Sequence, residues 1–329
     1  MKYAKQIKQL GTETAFAVSA QAKDWASKGN KVYPFHLGDL NMKTPPNIVE
    51  ATMRAIQDGK TGYCPSEGIL PLREALANDV GYRRGVDYNP ENVAIQPGGK
   101  PTIGKFISAI MNPGDEVLYP NPGYPIYESQ IEYQGGQAIP YSYIRTDSGF
   151  DIDLERLKDS ISSNTVALIY NNYQNPISAE SSRSEMEQIA EIAISNDLWV
   201  LADDAYYEIR YAGNSQSIVD IPGMKERTVV LYTFSKKYAM TGWRVGGSIG
   251  PEKLIKIIAK LNVNAESCTT HFIQEAMVEA LIGDPSGSEQ ILSRLKKRRD
   301  VAVSGLNSIE GIDIPTPQST FYLFPKVND

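Results

Sequence analysis

Ser235 and Lys236 close an apolar, β-branched run, Thr228-Val-Val-Leu-Tyr232, and Arg244 follows within Gly242-Trp-Arg-Val-Gly246. A buried strand that ends in an amine, with a guanidinium close behind, brings two cations to bear on one anion. Lys236 alone signals little, because the chain has 33 Lys and Arg and most lysines are solvated. Three other strand-like runs also end in polar residues. Val93-Ala-Ile-Gln96 leads into Gly98, Gly99 and Lys100; Thr165–Tyr170 leads into Asn171-Asn-Tyr-Gln-Asn175-Pro176; Leu198-Trp-Val-Leu-Ala202 leads into Asp203-Asp-Ala-Tyr206. Ligands of open α/β sheets bind outside the carboxyl ends of the strands, so the four endings point to one shared ligand. A glycine turn between strand and helix aims backbone N–H groups at a phosphate, although a Gly-Gly pair by itself is usually only a turn. Asp203 has a plain alternative as a helix N-cap, and Tyr124 as a core tyrosine.

Positioning these residues takes a particular set of elements. Continuous apolar runs at 165–170, 198–202 and 228–232 are expected for strands covered on both faces, and a helix over about 182–195 lies between two of them, with Ile189, Ile192 and Ala193 inward. Strands alternating with helices predict a mostly parallel, mixed sheet flanked by helices. One or two short helices precede Gly29. A further helix starts at Thr44-Pro45 and stops at Gly59, with Ile48, Val49, Met53 and Ile56 as its buried stripe. Beyond residue 250 the pattern turns helical, and Ile312–Val327 reads as strands of a smaller unit. The predicted division is an N-terminal arm with part of a small domain over 1–43, a large domain over 44–285, and a small α+β domain over 286–329.

At 329 residues, with 41% hydrophobic and 22% charged residues, the chain has the make-up of an ordinary globular protein. Its net charge of -6 is spread out, and the absence of a basic stripe argues against nucleic acid as a partner. Cys64 and Cys268 are too few and too widely spaced for a disulfide framework or a zinc site. No apolar run is long enough for a membrane span, and the first residues lack a signal-peptide core. A cytoplasmic protein is expected.

From Leu37-Gly38-Asp39 to Phe321-Tyr-Leu-Phe-Pro325 the chain resembles the class I and II aminotransferases, pyridoxal-phosphate enzymes of fold type I, and its motifs recur in that family's order. The resemblance implies that Lys236 carries the cofactor as a Schiff base and shuttles a proton at the substrate α-carbon. A lysine at its reference pKa near 10.4 is a poor nucleophile, and burial and Arg244 would lower it. Asp203, favoured over Asp204 by the family's Asp-x-Ala-Tyr spacing, would pair with the pyridine nitrogen. Tyr206 and Asn175 would bind the 3′ oxygen, and Tyr124 would stack on the ring. Gly98, Gly99, Lys100, Ser235 and Arg244 would take the phosphate. Tyr63 resembles the tyrosine that reaches the phosphate of a neighbouring subunit, which implies a homodimer with shared sites. Gly38 would lie beside the substrate carboxylate.

Two departures accompany the resemblance. The family's Asn-Pro-Thr-Gly step is here Asn175-Pro-Ile-Ser178, and no residue here matches the arginine that clamps the substrate carboxylate, which the family carries in a C-terminal continuation beyond Pro325. The implied activity is amino transfer between an α-amino acid and a 2-oxo acid, with pyridoxal 5′-phosphate as cofactor and no metal. A β-eliminating C–S lyase or a truncated non-catalytic relative would share the same residues. The loop at Tyr63 and the Pro122-Gly-Tyr-Pro125 step look more like the alanine and diaminopimelate branches than the animal aspartate enzymes.

Overall fold

The computed structural model describes residues 2–11 and 14–328. In chain order these form α1 (Thr14–Ser27), α2 (Pro46–Gln57), α3 (Leu70–Arg84), β1 (Val93–Gln96), α4 (Lys100–Ile110), β2 (Glu116–Pro120) and α5 (Ile126–Tyr133). Next come β3 (Gln137–Tyr141), the hairpin β4 (Tyr143–Thr146) and β5 (Gly149–Ile152), α6 (Leu154–Asp159), β6 (Thr165–Tyr170), α7 (Arg183–Ser195) and β7 (Trp199–Asp203). The chain continues through β8 (Thr228–Thr233), β9 (Gly246–Ile249), α8 (Glu252–Ala265), α9 (His271–Ile282), α10 (Ser286–Asn307), β10 (Ile312–Asp313) and β11 (Lys326–Val327). Asp329 and the Thr12-Glu13 step of the N-terminal arm lie outside the described residues.

Seven strands make the main sheet in the order β1-β9-β8-β7-β6-β2-β3. Pairing is parallel from β3 to β8, and β9 runs antiparallel between β8 and β1. The expectation of a mostly parallel sheet holds. The central strands read as unbroken apolar runs because both faces are covered. Leu168, Val200 and Val230 pack with α3, α7 and α9 on one side, whereas Ile169, Leu201 and Val229 pack with α4, α5 and α8 on the other. Strand β9 gave no apolar signal. Its Gly246 is required by close packing, since a Cβ there would lie 2.5 Å from the Tyr232 carbonyl oxygen.

Helix α2 corrects one expectation. Ile48 is buried in the core cluster that holds Ala276 and Met277 of α9, with Ala51 packed against it, but Val49, Met53 and Ile56 are exposed in the single chain. Periodicity identified an apolar face without telling which surface it serves. A third apolar cluster joins Leu40, Tyr206, Tyr207 and Tyr211 to Ile291 and Leu295 of α10, with Phe321 and Tyr322 packed against it. Residues 318–320 dock there as well: Ser319 bridges Arg210, and the Tyr211 and Thr320 N–H groups donate to Gln318 and Ile209 carbonyls at 2.9 Å. Among the described residues no helix is long and apolar enough to cross a membrane, and no cluster of possible metal ligands is found.

Candidate active site

Outside the carboxyl ends of the parallel strands lies a cleft of about 870 Å³, lined in part by Lys100, Tyr124, Asn175, Asp203, Tyr206, Ser235, Lys236 and Arg244. The four strand endings singled out by sequence therefore meet on one cavity. Gly38 reaches the same cleft from the N-terminal segment, and Tyr322 from the C-terminal one.

Asp203 ends β7 and is buried. Its Oδ2 accepts the Tyr127 hydroxyl at 2.6 Å, its Oδ1 accepts the Ala205 N–H at 3.2 Å, and Asn171 Nδ2 donates to its backbone carbonyl at 2.8 Å. Burial pushes its carboxyl up to about 6, with neighbouring Asp204 adding to the rise, while Tyr127, the Ala205 N–H and Lys236 pull the other way. Asp204 turns from the cleft to a buried ion pair, with Arg84 Nε and Nη2 at 3.0 and 2.9 Å from its Oδ2.

Lys236 Nζ donates to the Gly38 carbonyl at 2.7 Å and lies 5.7 and 5.6 Å from the ring centroids of Tyr206 and Phe321. The Tyr206 hydroxyl is 2.5 Å from that of Tyr322. Burial, then Tyr322, raises the Tyr206 phenol well above its ordinary range. Asn175 precedes a cis proline, and its backbone N–H donates to Asn171 Oδ1 at 3.1 Å. The Tyr124 ring stands edge-on to Tyr127, 5.7 Å between centroids, with Lys100 Nζ at 5.7 Å from the Tyr124 centroid.

At the other end of the cleft, Gly99 and Lys100 open α4, where the first N–H groups have no helical partner. Ser235 is braced by Thr233, whose hydroxyl donates to Ser235 Oγ at 2.9 Å and accepts the Ser235 N–H at 3.2 Å. Arg244 has a left-handed backbone, φ 55°, and donates from Nη1 to the Thr241 carbonyl at 2.8 Å. Gly98 departs from its expected role. Its N–H is spent on the Gln96 carbonyl at 2.8 Å, and it does not line the cleft. Its φ of 100° is a backbone conformation that favours glycine, and a Cβ there would also lie 2.2 Å from Arg244 Nη2. Tyr63 is 88% exposed and lies outside the cleft of its own chain.

Sequence reasoning gave no role to Tyr127, Asn171, Thr233 or Tyr322. Asn171 opens the loop after β6 and Tyr127 lies two residues beyond the Pro122-Gly-Tyr-Pro125 step, but nothing in their spacing says that both reach Asp203. Tyr322 lies 119 residues after Asp203 and no local pattern links the two. The donors fit a phosphorylated pyridine aldehyde. An anion cradle of helix N–H groups, hydroxyl and guanidinium sits at one end, a buried carboxylate for a ring N–H at the other, and a primary amine between them.

A family model described as aminotransferase class I and II matches residues 31–329. The chain belongs to that family. It is 33% identical over 327 residues to a probable aspartate/prephenate aminotransferase of Aquifex aeolicus, covering 98% of this chain and 82% of that relative. An aspartate aminotransferase of Musicola paradisiaca is 31% identical, with 98% of this chain and 81% of the relative covered. Among solved structures, the Thermus thermophilus aspartate aminotransferase with maleate superimposes with a TM-score of 0.93 at 28% identity, over 99% of this chain and 85% of that one. An alanine aminotransferase from Pyrococcus furiosus gives the same TM-score and identity, over 100% and 85%. This aminotransferase is therefore a pyridoxal-phosphate-dependent enzyme that transfers amino groups.

Proposed function

We propose that the cleft holds pyridoxal 5′-phosphate with Lys236 as the reacting amine, and that the transferred group comes from a dicarboxylic amino acid such as aspartate. Lys236 Nζ in one cleft with buried Asp203 and Tyr206 is the observation that carries this reading. When bound, the cofactor supplies an electron sink for the bond broken at the substrate α-carbon.

The remaining work falls to the chain. Asp203 keeps a proton on the ring nitrogen: a cation there turns the raised pKa of this carboxyl back down, and Tyr127 and Ala205 already hold the carboxylate in place. Lys236 Nζ takes up and returns the proton of the α-carbon. Tyr206 and Asn175 would donate to the 3′ oxygen, and Tyr124 would hold the ring. The Gly99 and Lys100 N–H groups, Ser235 Oγ and Arg244 take the phosphate, with Gly98 giving Arg244 its space. Gly38 borders the substrate carboxylate.

Aspartate is favoured by the names of the relatives and by the maleate in the Thermus structure, since maleate has two carboxylates. Lys100, Lys236 and Arg244 outnumber Asp39 and Asp203 on the wall, which suits an anionic ligand. The exposed Tyr63 and the open apolar face of α2 support a homodimer in which Tyr63 serves the partner's phosphate. The division at residues 43/44 and 285/286 fits the start of α10 at Ser286. The free thiols of Cys64 and Cys268 suit the cytoplasm.

Spectroscopy tests the reading. Purified protein supplied with pyridoxal 5′-phosphate should show a visible band that bleaches on adding aspartate and returns with a 2-oxo acid, and Lys236→Ala should lack that response. Wild-type protein that takes up no cofactor would sink the proposal. A band that ignores aspartate but answers alanine would correct the substrate alone.

A further inference from the structure

Tyr322 lines the cleft through a chain of contacts that no short motif contains. Its hydroxyl lies 2.5 Å from that of Tyr206, and a Cβ on Gly38 would come within 2.6 Å of the same oxygen. The phenol is therefore fixed between the N-terminal segment and the end of β7. Its backbone is fixed as well. Ser178 Oγ lies 2.7 Å from Thr320 Oγ1 and donates to the Tyr322 carbonyl at 2.9 Å, while Thr320 Oγ1 accepts the Tyr322 N–H at 3.2 Å. Both Ser178 and Thr320 have left-handed backbones, φ 57° and 62°, a conformation that side-chain-bearing residues hold only where surroundings enforce it. Ser178 stands where the family's Asn-Pro-Thr-Gly step has glycine. Glycine would take that φ without strain but has no hydroxyl to reach residues 320–322.

We infer that Tyr322 is a positioning residue for Tyr206, and that Ser178 holds it in that role. The inference rests on the cofactor reading above. Each phenol has one proton to give and can accept. In the free protein their contact uses one of the two. When Tyr206 turns its proton to a ligand oxygen, Tyr322 can supply its own to the Tyr206 oxygen at the same contact. Each hydrogen bond in such a chain strengthens the next. Tyr206 then becomes a better donor to the 3′ oxygen, and a donor to that oxygen favours its unprotonated, anionic form.

Tyr322→Phe removes one hydroxyl and keeps the ring. In the cofactor-loaded protein the pH midpoint of the visible absorbance should rise, by about half a unit to one unit, because the 3′ oxygen loses part of its donor. Turnover should fall by up to about tenfold while KM for the amino donor changes less. Ser178→Gly relieves strain yet cuts the tether, so its midpoint should move the same way by less, and add nothing in the Tyr322→Phe background. An unchanged or lowered midpoint in Tyr322→Phe overturns the inference and leaves the cofactor reading intact. If Ser178→Gly leaves the midpoint where it is, the tether is discarded. Wild-type protein with no visible band overturns both readings.

Discussion

Asp203, Tyr206 and Lys236 face the cleft, whereas Asp204, Tyr207 and Lys237, their immediate neighbours and the same residue types, face a closed polar cluster behind it. Asp204 pairs with Arg84, whose guanidinium carbon lies 3.8 Å from the Tyr207 ring centroid. The Tyr207 hydroxyl donates to the carbonyls of Arg83 and Ser215 at 2.7 and 3.2 Å. Lys237 Nζ meets Glu208 Oε1 at 2.5 Å, and Arg83 joins that carboxylate at 3.2 Å. Burial opposes the charge on Glu208, but Lys237 and Arg83 outweigh it and hold the carboxyl below its ordinary value. In the rear cluster every charge has an opposite partner. On the cleft side, Asp203 is held by hydroxyl and N–H donors, with no ion pair at contact distance among the described residues. The same three residue types thus line an ion-paired cluster on one side of the chain and the ligand cleft on the other.

Parallel substitutions in the three pairs sharpen or break this contrast. The largest difference is expected at the lysines. Lys236→Ala should lower turnover by at least about a thousandfold. Lys237→Ala should leave turnover of the folded protein within about threefold but cost ~2–4 kcal/mol in denaturant unfolding, because Glu208 loses its closest cation. Equal activity losses in the two would refute the division. At the aspartates, Asp203→Asn should cost about a hundredfold or more in turnover with little loss of stability. Asp204→Asn should instead cost ~3–5 kcal/mol of stability, since Arg84 is left buried without a counter-charge. Steady-state rates and melts of both proteins check this directly. Tyr206→Phe should slow turnover by about tenfold, while Tyr207→Phe should cost only ~1 kcal/mol of stability for its lost bonds to backbone.

The smallest expected effect is on pH dependence. Asp203 titrates near 6 in the folded protein against an ordinary 3.8, so between those values the folded state binds more protons than the unfolded one. Its contribution therefore makes the cofactor-free protein lose stability as pH rises through that window, with a slope on the order of 1 kcal/mol per pH unit at most. Asp203→Asn should be flatter than wild type there. Parallel curves would place Asp203 in a more solvated setting than the cleft provides.

The contrast also shows what the sequence could and could not disclose. The buried strands were legible because unbroken apolar runs of the right length have few other uses, and their polar endings lined up on one cleft. The family's Asp-x-Ala-Tyr spacing singles out Asp203, the aspartate that lines the cleft, yet nothing in the Asp-Asp, Tyr-Tyr or Lys-Lys steps revealed Arg84, Glu208 or the cluster behind it. Those partners come from α3 and from the loop after β7, a tertiary fact. Strand β9 escaped notice because its two glycines break any apolar run: a Cβ would meet the Tyr232 carbonyl at Gly246 and the Leu76 side chain at Gly247. The stripe on α2 is legible as a face but not as an outward one, since periodicity does not distinguish a buried face from an exposed one. The donor role expected of Gly98 rests on the family resemblance alone, since a glycine pair in a turn by itself carries no such signal. The Gly98 backbone φ of 100° favours glycine by itself, and the approach of Arg244, 146 positions later, cannot be read locally.

The bridge between Arg210 and Ser319 joins residues separated by more than a hundred positions. Closing so long a loop is entropically slow to be repaid, whereas the parallel core can assemble from contacts made earlier in the chain. The cleft should therefore gain its Tyr322 wall late in refolding, and the return of cofactor colour should time the homecoming of residues 318–322 rather than the formation of the sheet.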